Sequence, residues 1–321
     1  MKQAPVPCLQ RRSYNARILS ANLIALFFMS LAEPSARWRV ARERIQPSGP
    51  AAGWPVDVVE TTGSTSADLM AAVRDAAWPA DAAPPAHAGT APLLGARVLA
   101  AQRQTAGRGR QGRPWGGDHG LTFSIACAFA SEPAQLGGLS LAVGVAVADA
   151  VAGYAEARGG SGQALALKWP NDVQIAGRKL AGILVETVRK EAGQTWAVIG
   201  VGLNLERPRV LETTLGRGLS GVEELVDAPE PNAVFSALLT SLGEHLQRFG
   251  AQGLAPFVAP FAARDAFAGE RVRLWQDGTV VLEGVAHGID AQGRLAIESG
   301  GRVQWVHSGE VSLRSADAEQ P

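Results

Sequence analysis

The segment QTAGRGRQGRPW, running from Gln104 to Trp115, decides between two folds. Gly107, Gly109 and Gly112 satisfy the pattern G-x-G-x-x-G. In a dinucleotide-binding sheet that pattern follows a strand and opens a helix, whose N-terminus receives a pyrophosphate. Here Pro114, Trp115 and Gly116-Gly117 come next, and then the apolar run Leu121 to Phe129, which reads as a strand. No helix dipole stands ready for the phosphates, so the doubly wound reading fails. What remains is Arg108, Arg110 and Arg113 interleaved with glycines. Glycine lets the backbone come close to a ligand, and arginine supplies planar, multidentate donors to phosphate or carboxylate. A low-complexity GRGR tract on its own would read as a solvated or nucleic-acid-binding tail. This one lies between two core strands and ends in tryptophan, which favours an anion-binding loop that orders on its ligand.

Downstream stands Lys168-Trp-Pro-Asn-Asp172, followed by Arg178-Lys-Leu-Ala-Gly-Ile-Leu184. The chain has 30 lysines and arginines, but its lysines are only Lys2, Lys168, Lys179 and Lys190. A sequence that otherwise selects arginine places two lysines eleven residues apart around a polar turn. A compact ammonium suits a point contact to one carboxylate or phosphate oxygen, where a guanidinium fork would not fit. Asn171 and Asp172 offer oxygens to Mg²⁺ or hydrogen bonds to a nucleotide, and the residues alone leave both open. A third segment, Val198-Ile-Gly-Val-Gly-Leu-Asn204, puts two glycines inside an apolar strand. That marks close approach of either a ligand or another piece of the protein.

Around these segments the pattern is mixed. Val56 to Val59 reads as a strand, and Ser64-Thr65-Ser66 as N-caps of a helix through Leu69 to Ala77. Residues 78–95, rich in Pro, Ala and Gly, read as a loop, and Arg97 to Ala101 as a strand. Leu139 to Val151 is a buried helix by length and alanine content. Leu165 to Trp169, Val173 to Ile175, Leu180 to Val185 and Trp196 to Leu205 are strands. Val234 to Phe249 has helical apolar spacing, and a second helix is expected over Leu254 to Phe267. From Glu270 short alternating runs are divided by Asp277-Gly278, Gln292-Gly293 and Gly300-Gly301, a small all-β module.

The 321 residues suffice for two domains, and 46% apolar with 19% charged residues is a globular composition. Thirty basic residues balance thirty acidic ones, against the basic excess of a general nucleic-acid binder. The balance is uneven: residues 1–50 hold eight basic and two acidic residues. In that leader Arg11, Arg12 and Arg17 precede the apolar run Ile18 to Ala32, like a secretory signal. The cytosolic ATP that the chemistry below requires argues instead for an upstream extension outside the fold. Cys8 and Cys127 are too few for a disulfide framework or a cysteine-rich zinc site.

Taken together, GRGRQGRPW, KWPND, KLAGIL and the GVGLN strand, in that order, resemble biotin–protein ligases over about residues 56–316. Ser64-Thr65 resembles that family's biotin-contacting Ser-Thr pair, and Gly309 to Arg314 the close of its C-terminal domain. The resemblance implies an α+β fold: a mixed sheet with helices, akin to class II aminoacyl-tRNA synthetases, plus a C-terminal SH3-like β-barrel. The implied division is 1–53 leader, 54–267 biotin- and ATP-binding catalytic domain, 268–316 barrel and 317–321 tail. The implied activity is formation of biotinyl-5′-AMP and transfer of biotin to a lysine of the biotin carboxyl carrier domain of acetyl-CoA carboxylase.

Roles follow by resemblance. Ser64, Thr65, Gln104, Gly107 and Gly182 surround biotin, Arg108 and Arg110 clamp its carboxylate and the adenylate phosphate, and Lys179 stabilises the reacting charge. Trp115 packs on adenine, while Arg113, Asn171, Asp172, Asn204 and Arg314 face ATP. Mg²⁺ accompanies the ATP, near Asp172, and no zinc is expected. The protein is expected in the cytoplasm, as monomer or homodimer, with no membrane. Lipoate–protein ligase and a biotin-sensing, DNA-binding repressor are the rival readings. The helix-turn-helix domain of some family members is not carried over, since Pro5, Pro7, Pro34, Pro47 and Pro50 interrupt residues 1–50. If Arg108, Arg110 and Lys179 faced different cavities, the whole reading would fall.

Overall fold

The computed structural model describes residues 36–75, 93–116, 118–190, 194–308 and 312–316. Strand alternation organises the larger part. In β3 (Gly120–Phe129) the even-numbered polar residues Thr122 and Ser124 face one side, while Phe123 packs its ring 4.8 Å from Phe235 on the other. β3 pairs antiparallel with both β2 (Leu93–Gln104) and β7 (Gln194–Asn204), which makes it a central strand, and helices packed on the sheet leave Leu121 to Phe129 buried on both faces. The sheet order is β1-β2-β3-β7-β6-β5-β4, with β1 (Val56–Thr62), β4 (Leu165–Lys168), β5 (Asp172–Ile175) and β6 (Arg178–Lys190) completing it. β1 runs parallel to β2, and every other neighbouring pair is antiparallel.

Helix α1 (Thr65–Arg74) packs on the polar face, capped by the Ser64 hydroxyl accepting from Ala67 N. α2 (Leu139–Glu156) and α4 (Pro231–Gln252) cover the apolar face. By composition α2 is apolar enough to cross a membrane, yet its side chains are buried against the sheet and α4, which makes it a core helix. α4 is capped by Glu230, whose carboxylate accepts from Ala233 N at 2.7 Å, and Pro231 fits its first turn. The short α3 (Arg209–Leu215) escaped the sequence reading because it has no apolar stripe, and its Val210 is 80% exposed.

The C-terminal module is a five-stranded antiparallel, SH3-like sheet. It runs β11 (Arg302–Val306), β10 (Leu295–Ser299), β9 (Thr279–Ile289), β8 (Arg271–Gln276) and β12 (Ser312–Ser315). The Asp277-Gly278 turn between β8 and β9 has φ of 48° and 77°, the left-handed pair that a two-residue hairpin needs. The module shares its core with the larger part: Val272, Leu274, Leu295, Ile297 and Leu313 belong to the same buried cluster.

Three expectations need correction. Residues 36–53 are not outside the fold. Trp38, Val40, Ile45 and Ala51 are buried in the main core, Ala41 N donates to Asn232 Oδ1 at 2.7 Å, and Trp38 Nε1 donates to Glu206 at 2.9 Å. Their short 3-10 turns have no periodicity to read. Secondly, the last helix, α5 (Ala255–Ala262), ends at Ala262 instead of Phe267. The chain turns to lie beside β4, with Leu167 N donating to Arg264 O and Ala266 N to Leu167 O. Thirdly, β2 starts at Leu93, within the expected loop 78–95; residues 76–92, which include the expected last two residues of the first helix, lie outside the described residues, as do 1–35.

Trp38 gives the first correction a test. Trp38→Ala removes a side chain that is 4% exposed and is expected to cost about 3–5 kcal/mol, read from urea unfolding. A loss below about 1 kcal/mol would mean that this segment is dispensable.

Candidate active site

On the α1 side of the sheet lies a cavity of about 780 Å³, and Arg108, Arg110 and Lys179 all line it. At one end is a knot of hydroxyls. Thr65 N and Oγ1 donate to Gln104 Oε1 at 2.8 and 3.1 Å, and Ser124 Oγ joins Thr65 Oγ1 at 2.8 Å and Ser66 Oγ at 2.9 Å. Ser64 also lines this end, though its hydroxyl serves the α1 cap. Ser66 and Ser124 were missed in the sequence. Ser66 follows the Ser-Thr pair, and Ser124 becomes a candidate only when the inward face of β3 is known.

The floor of the cavity explains the glycines. Gly182 of β6 and Gly202 of β7 are register partners. The Trp115 indole lies over them, so that a Cβ at Gly202 would come within 2.1 Å of the ring and one at Gly182 within 3.1 Å. A Cβ at Gly200 would meet Ser66 Oγ at 2.5 Å. The two glycines of the β7 motif thus admit a tryptophan and a helix N-terminus onto the strand.

The arginine loop folds back on itself. Trp115 N donates to Gly107 O at 2.9 Å and Gly109 N to Arg113 O at 2.7 Å, while Gln111 adopts a φ of 57°. Gly107 itself does not line the cavity; a Cβ there would strike the Trp115 carbonyl at 2.3 Å, so loop closure is what requires glycine. The expectation that Gly107 gives access to ligand is corrected accordingly. Arg108 pairs with Glu186 at 3.1 Å, and Arg110 donates to Asn171 Oδ1 at 3.3 Å and to the Ser308 carbonyl of the C-terminal module. Asn171 Nδ2 in turn donates to Ile183 O at 2.8 Å.

Beyond the floor stands Lys179, whose Nζ donates to Asp172 Oδ1 at 2.5 Å and lies 5.4 Å from the Trp115 ring centroid. Burial pushes the Lys179 ammonium below the ordinary lysine range, and Asp172 opposes that shift. Lys168 is depressed in the same way by burial, again opposed by Asp172. The side chains of Arg113, Arg217 and Arg314 line the same end without a hydrogen bond or ion pair among the described residues. Asp172 is the one carboxylate among the described residues lining the cavity. The far end therefore carries a large positive surplus, built for a polyanion.

Asn204, expected to face the nucleotide, is placed elsewhere. It is 6% exposed, does not line the cavity, and donates through Nδ2 to Ser220 O at 3.0 Å. It holds the 219–220 segment against β6. Lys168 and Arg217 were not among the expected site residues. Lys168 opens a recognised motif and could have been chosen; Arg217 sits in an unremarkable Gly-Arg-Gly.

Two known families and several known proteins resemble the chain. Residues 91–204 match the biotin/lipoate A/B protein ligase family and residues 267–314 the biotin protein ligase C-terminal domain. The biotin–[acetyl-CoA-carboxylase] ligase of Mycobacterium tuberculosis is 37% identical over 273 residues, 84% of this chain and 92% of that protein. The bifunctional ligase/repressor BirA of Escherichia coli is 35% identical over 219 residues, and the match spans 68% of this chain and 66% of that protein. The biotin protein ligase from Aquifex aeolicus, solved with biotin and ATP, superposes with a TM-score of 0.60 at 24% identity, covering 82% of this chain and 99% of that one.

One cavity residue gives a stability test. The Thr122 hydroxyl is buried and has no hydrogen-bond partner among the described residues. Thr122→Val removes that orphan and is expected to raise the stability of the ligand-free protein by about 1 kcal/mol in urea unfolding. A loss of stability would show that the hydroxyl has a partner in solution.

Proposed function

The chain belongs to the biotin protein ligase family, and on that premise we propose that it joins biotin to ATP as biotinyl-5′-AMP and passes the biotinyl group to a lysine of a carboxylase carrier domain. The observation that carries the reading is the shared cavity: a hydroxyl knot at one end, Arg108, Arg110 and Lys179 at its waist, and beyond them guanidinium groups with no ion pair among the described residues.

In the first step a carboxylate oxygen of biotin attacks the α-phosphorus, and the bond to the β-phosphate breaks with its electron pair leaving on pyrophosphate. No proton need move, so positioning and charge stabilisation supply the rate. Ser64, Thr65 and Gln104, with Ser66 and Ser124, hold the polar head of biotin, while Gly182, expected beside it, makes room instead for the Lys179 side chain and the Trp115 ring. Arg110 and Lys179 meet the carboxylate and α-phosphate oxygens. Arg108 joins them by exchanging Glu186 for the ligand, a small loss because both partners of that pair are partly exposed. Trp115, already on the floor, stacks on adenine. Arg113 and Arg314 face the phosphates, Arg314 reaching in from the C-terminal module.

The Mg²⁺ that accompanies ATP would be held mainly by phosphate and water, with Asp172 as its one carboxylate neighbour in the cavity, because Lys179 takes Asp172 Oδ1 and Arg110 takes Asn171 Oδ1. When bound it neutralises phosphate charge. In the second step the acceptor amine attacks the acyl carbon, forming the amide and releasing AMP. Residues 36–267, with the segment from Trp38 to Ala51 in their core, serve as the catalytic unit and 268–316 as the module that closes its cavity; the cytoplasm, where ATP and carboxylases meet, is the compartment proposed.

Incubation with biotin, ATP and a carrier domain, read by mass spectrometry of the acceptor, tests the reading; an unmodified acceptor lysine would overturn it. Calorimetry against biotin and lipoic acid separates the two acids, with biotin expected to bind. Lys179→Arg keeps the charge but moves it, and is expected to lower adenylation about 10²-fold, measured by pyrophosphate exchange. Near-normal exchange would remove Lys179 from the mechanism.

A further inference from the structure

Arg217 belongs to none of the motifs, yet the fold ties it to Lys179. After α3 the chain passes through Gly216, with φ of 59°, and residues 218–220 then lie against the start of β6. Lys179 N donates to Gly218 O at 3.0 Å, and Ser220 N donates to Lys179 O at 2.9 Å. Both backbone groups of Lys179 are therefore held by the segment that presents Arg217. That segment is fixed in turn: Leu219 N donates to Glu212 Oε1 at 3.2 Å and Asn204 grips Ser220 O. Gly218 is required here, because a Cβ would meet the Arg178 side chain at 2.8 Å.

The Arg217 guanidinium lines the cavity and forms no hydrogen bond or ion pair among the described residues. Asp172 attracts it, but that carboxylate is already engaged by Lys179, while Arg113 and Arg314 repel it. An AMP phosphate brings too little charge to satisfy these groups together with Lys168, Lys179 and Arg110. A triphosphate brings two further phosphoryl groups, and the guanidinium groups of Arg113, Arg217 and Arg314 line this end with no hydrogen bond or ion pair among the described residues.

We propose that Arg217 reads the β- and γ-phosphates: it selects a nucleoside triphosphate over a monophosphate and seats the departing pyrophosphate. This rests on the adenylating role proposed above. As the carboxylate–phosphorus bond forms and the bond to the β-phosphate breaks, negative charge grows on the pyrophosphate, and Arg217 meets it from the same backbone rung that carries Lys179.

Calorimetric titration of wild-type protein, Arg217→Ala and Arg217→Lys with ATP and with AMP tests the assignment. Wild type is expected to prefer ATP. Arg217→Ala is expected to lose about tenfold to a hundredfold in ATP affinity while AMP affinity changes by no more than about threefold, with Arg217→Lys between the two. The KM for pyrophosphate in the exchange reaction should rise in parallel with the loss for ATP. An alanine variant that keeps the wild-type ratio of ATP to AMP affinity, or weakens both alike, overturns the proposal. Loss of the ATP preference supports it even if wild type shows no biotin-dependent exchange, a result that would instead remove biotin from the functional reading.

Discussion

The whole site turns on one buried ion pair, Lys179 to Asp172, whose side chains are 14% and 17% exposed. An ammonium taken from water without a partner would shed its proton or unfold its surroundings. Asp172 prevents that, and the fold sets the two on neighbouring strands, with Asp172 opposite Gly182 and Lys179 opposite Gln174 across the β5–β6 pair. A buried pair of this kind adds little net stability, because desolvation offsets attraction. Its value is positional. It holds a single cation at a defined point while leaving the surrounding charge positive, since one carboxylate serves Lys168, Lys179 and the nearby guanidinium groups.

That surplus explains the form of the arginine loop. Clustered guanidinium groups repel one another when no anion is present, and a rigid frame would have to bear that repulsion continuously. The loop instead parks Arg108 on Glu186 and Arg110 on Asn171 and the Ser308 carbonyl, contacts that a stronger anion can replace. Glycines at the turn let the hairpin close on itself, and the indole of Trp115 fills the floor that a flat ring would share. The site is thus held together by weak, exchangeable partners around one firm pair.

Much of this was legible in the residues. The length and alanine content of α2, the apolar spacing of α4, the alternation of the C-terminal strands and the caps at Ser64 and the Asp277-Gly278 turn are local signals, and the structure follows them. The loop and the KWPND turn were recognisable because they concentrate unusual residue types. What could not be read depends on pairing across the chain. Residues 36–53 join the core without any periodicity, because Trp38 and Ile45 are fixed by contacts with distant elements. Ser124 is a site residue only because β3 turns that face toward α1. Asn204 and Gly107 mislead for the converse reason: both sit in motifs rich in site residues, yet their own partners are protein backbone. A motif marks a neighbourhood, and strand register decides which of its members face the ligand.

The same logic reaches the C-terminal module. Trp169, 1% exposed, carries no chemistry, but it lies between Lys168 and the Asn171-Asp172 pair and donates its Nε1 to Gly293 O at 3.0 Å across the module boundary. Ser140 of α2 holds the adjoining Pro170 carbonyl at 3.1 Å. The turn that supplies three polar residues to the cavity is therefore clamped from the core helix on one side and the SH3-like sheet on the other. Through that clamp the module gains a fixed relation to the cavity, which is what allows β12 to deliver Arg314, and residue 308 to meet Arg110, at a site built by other strands. The arrangement gives the small module a structural reason to exist: without it, the wall of the phosphate end would lack both a cation and the anchor of the turn beside it.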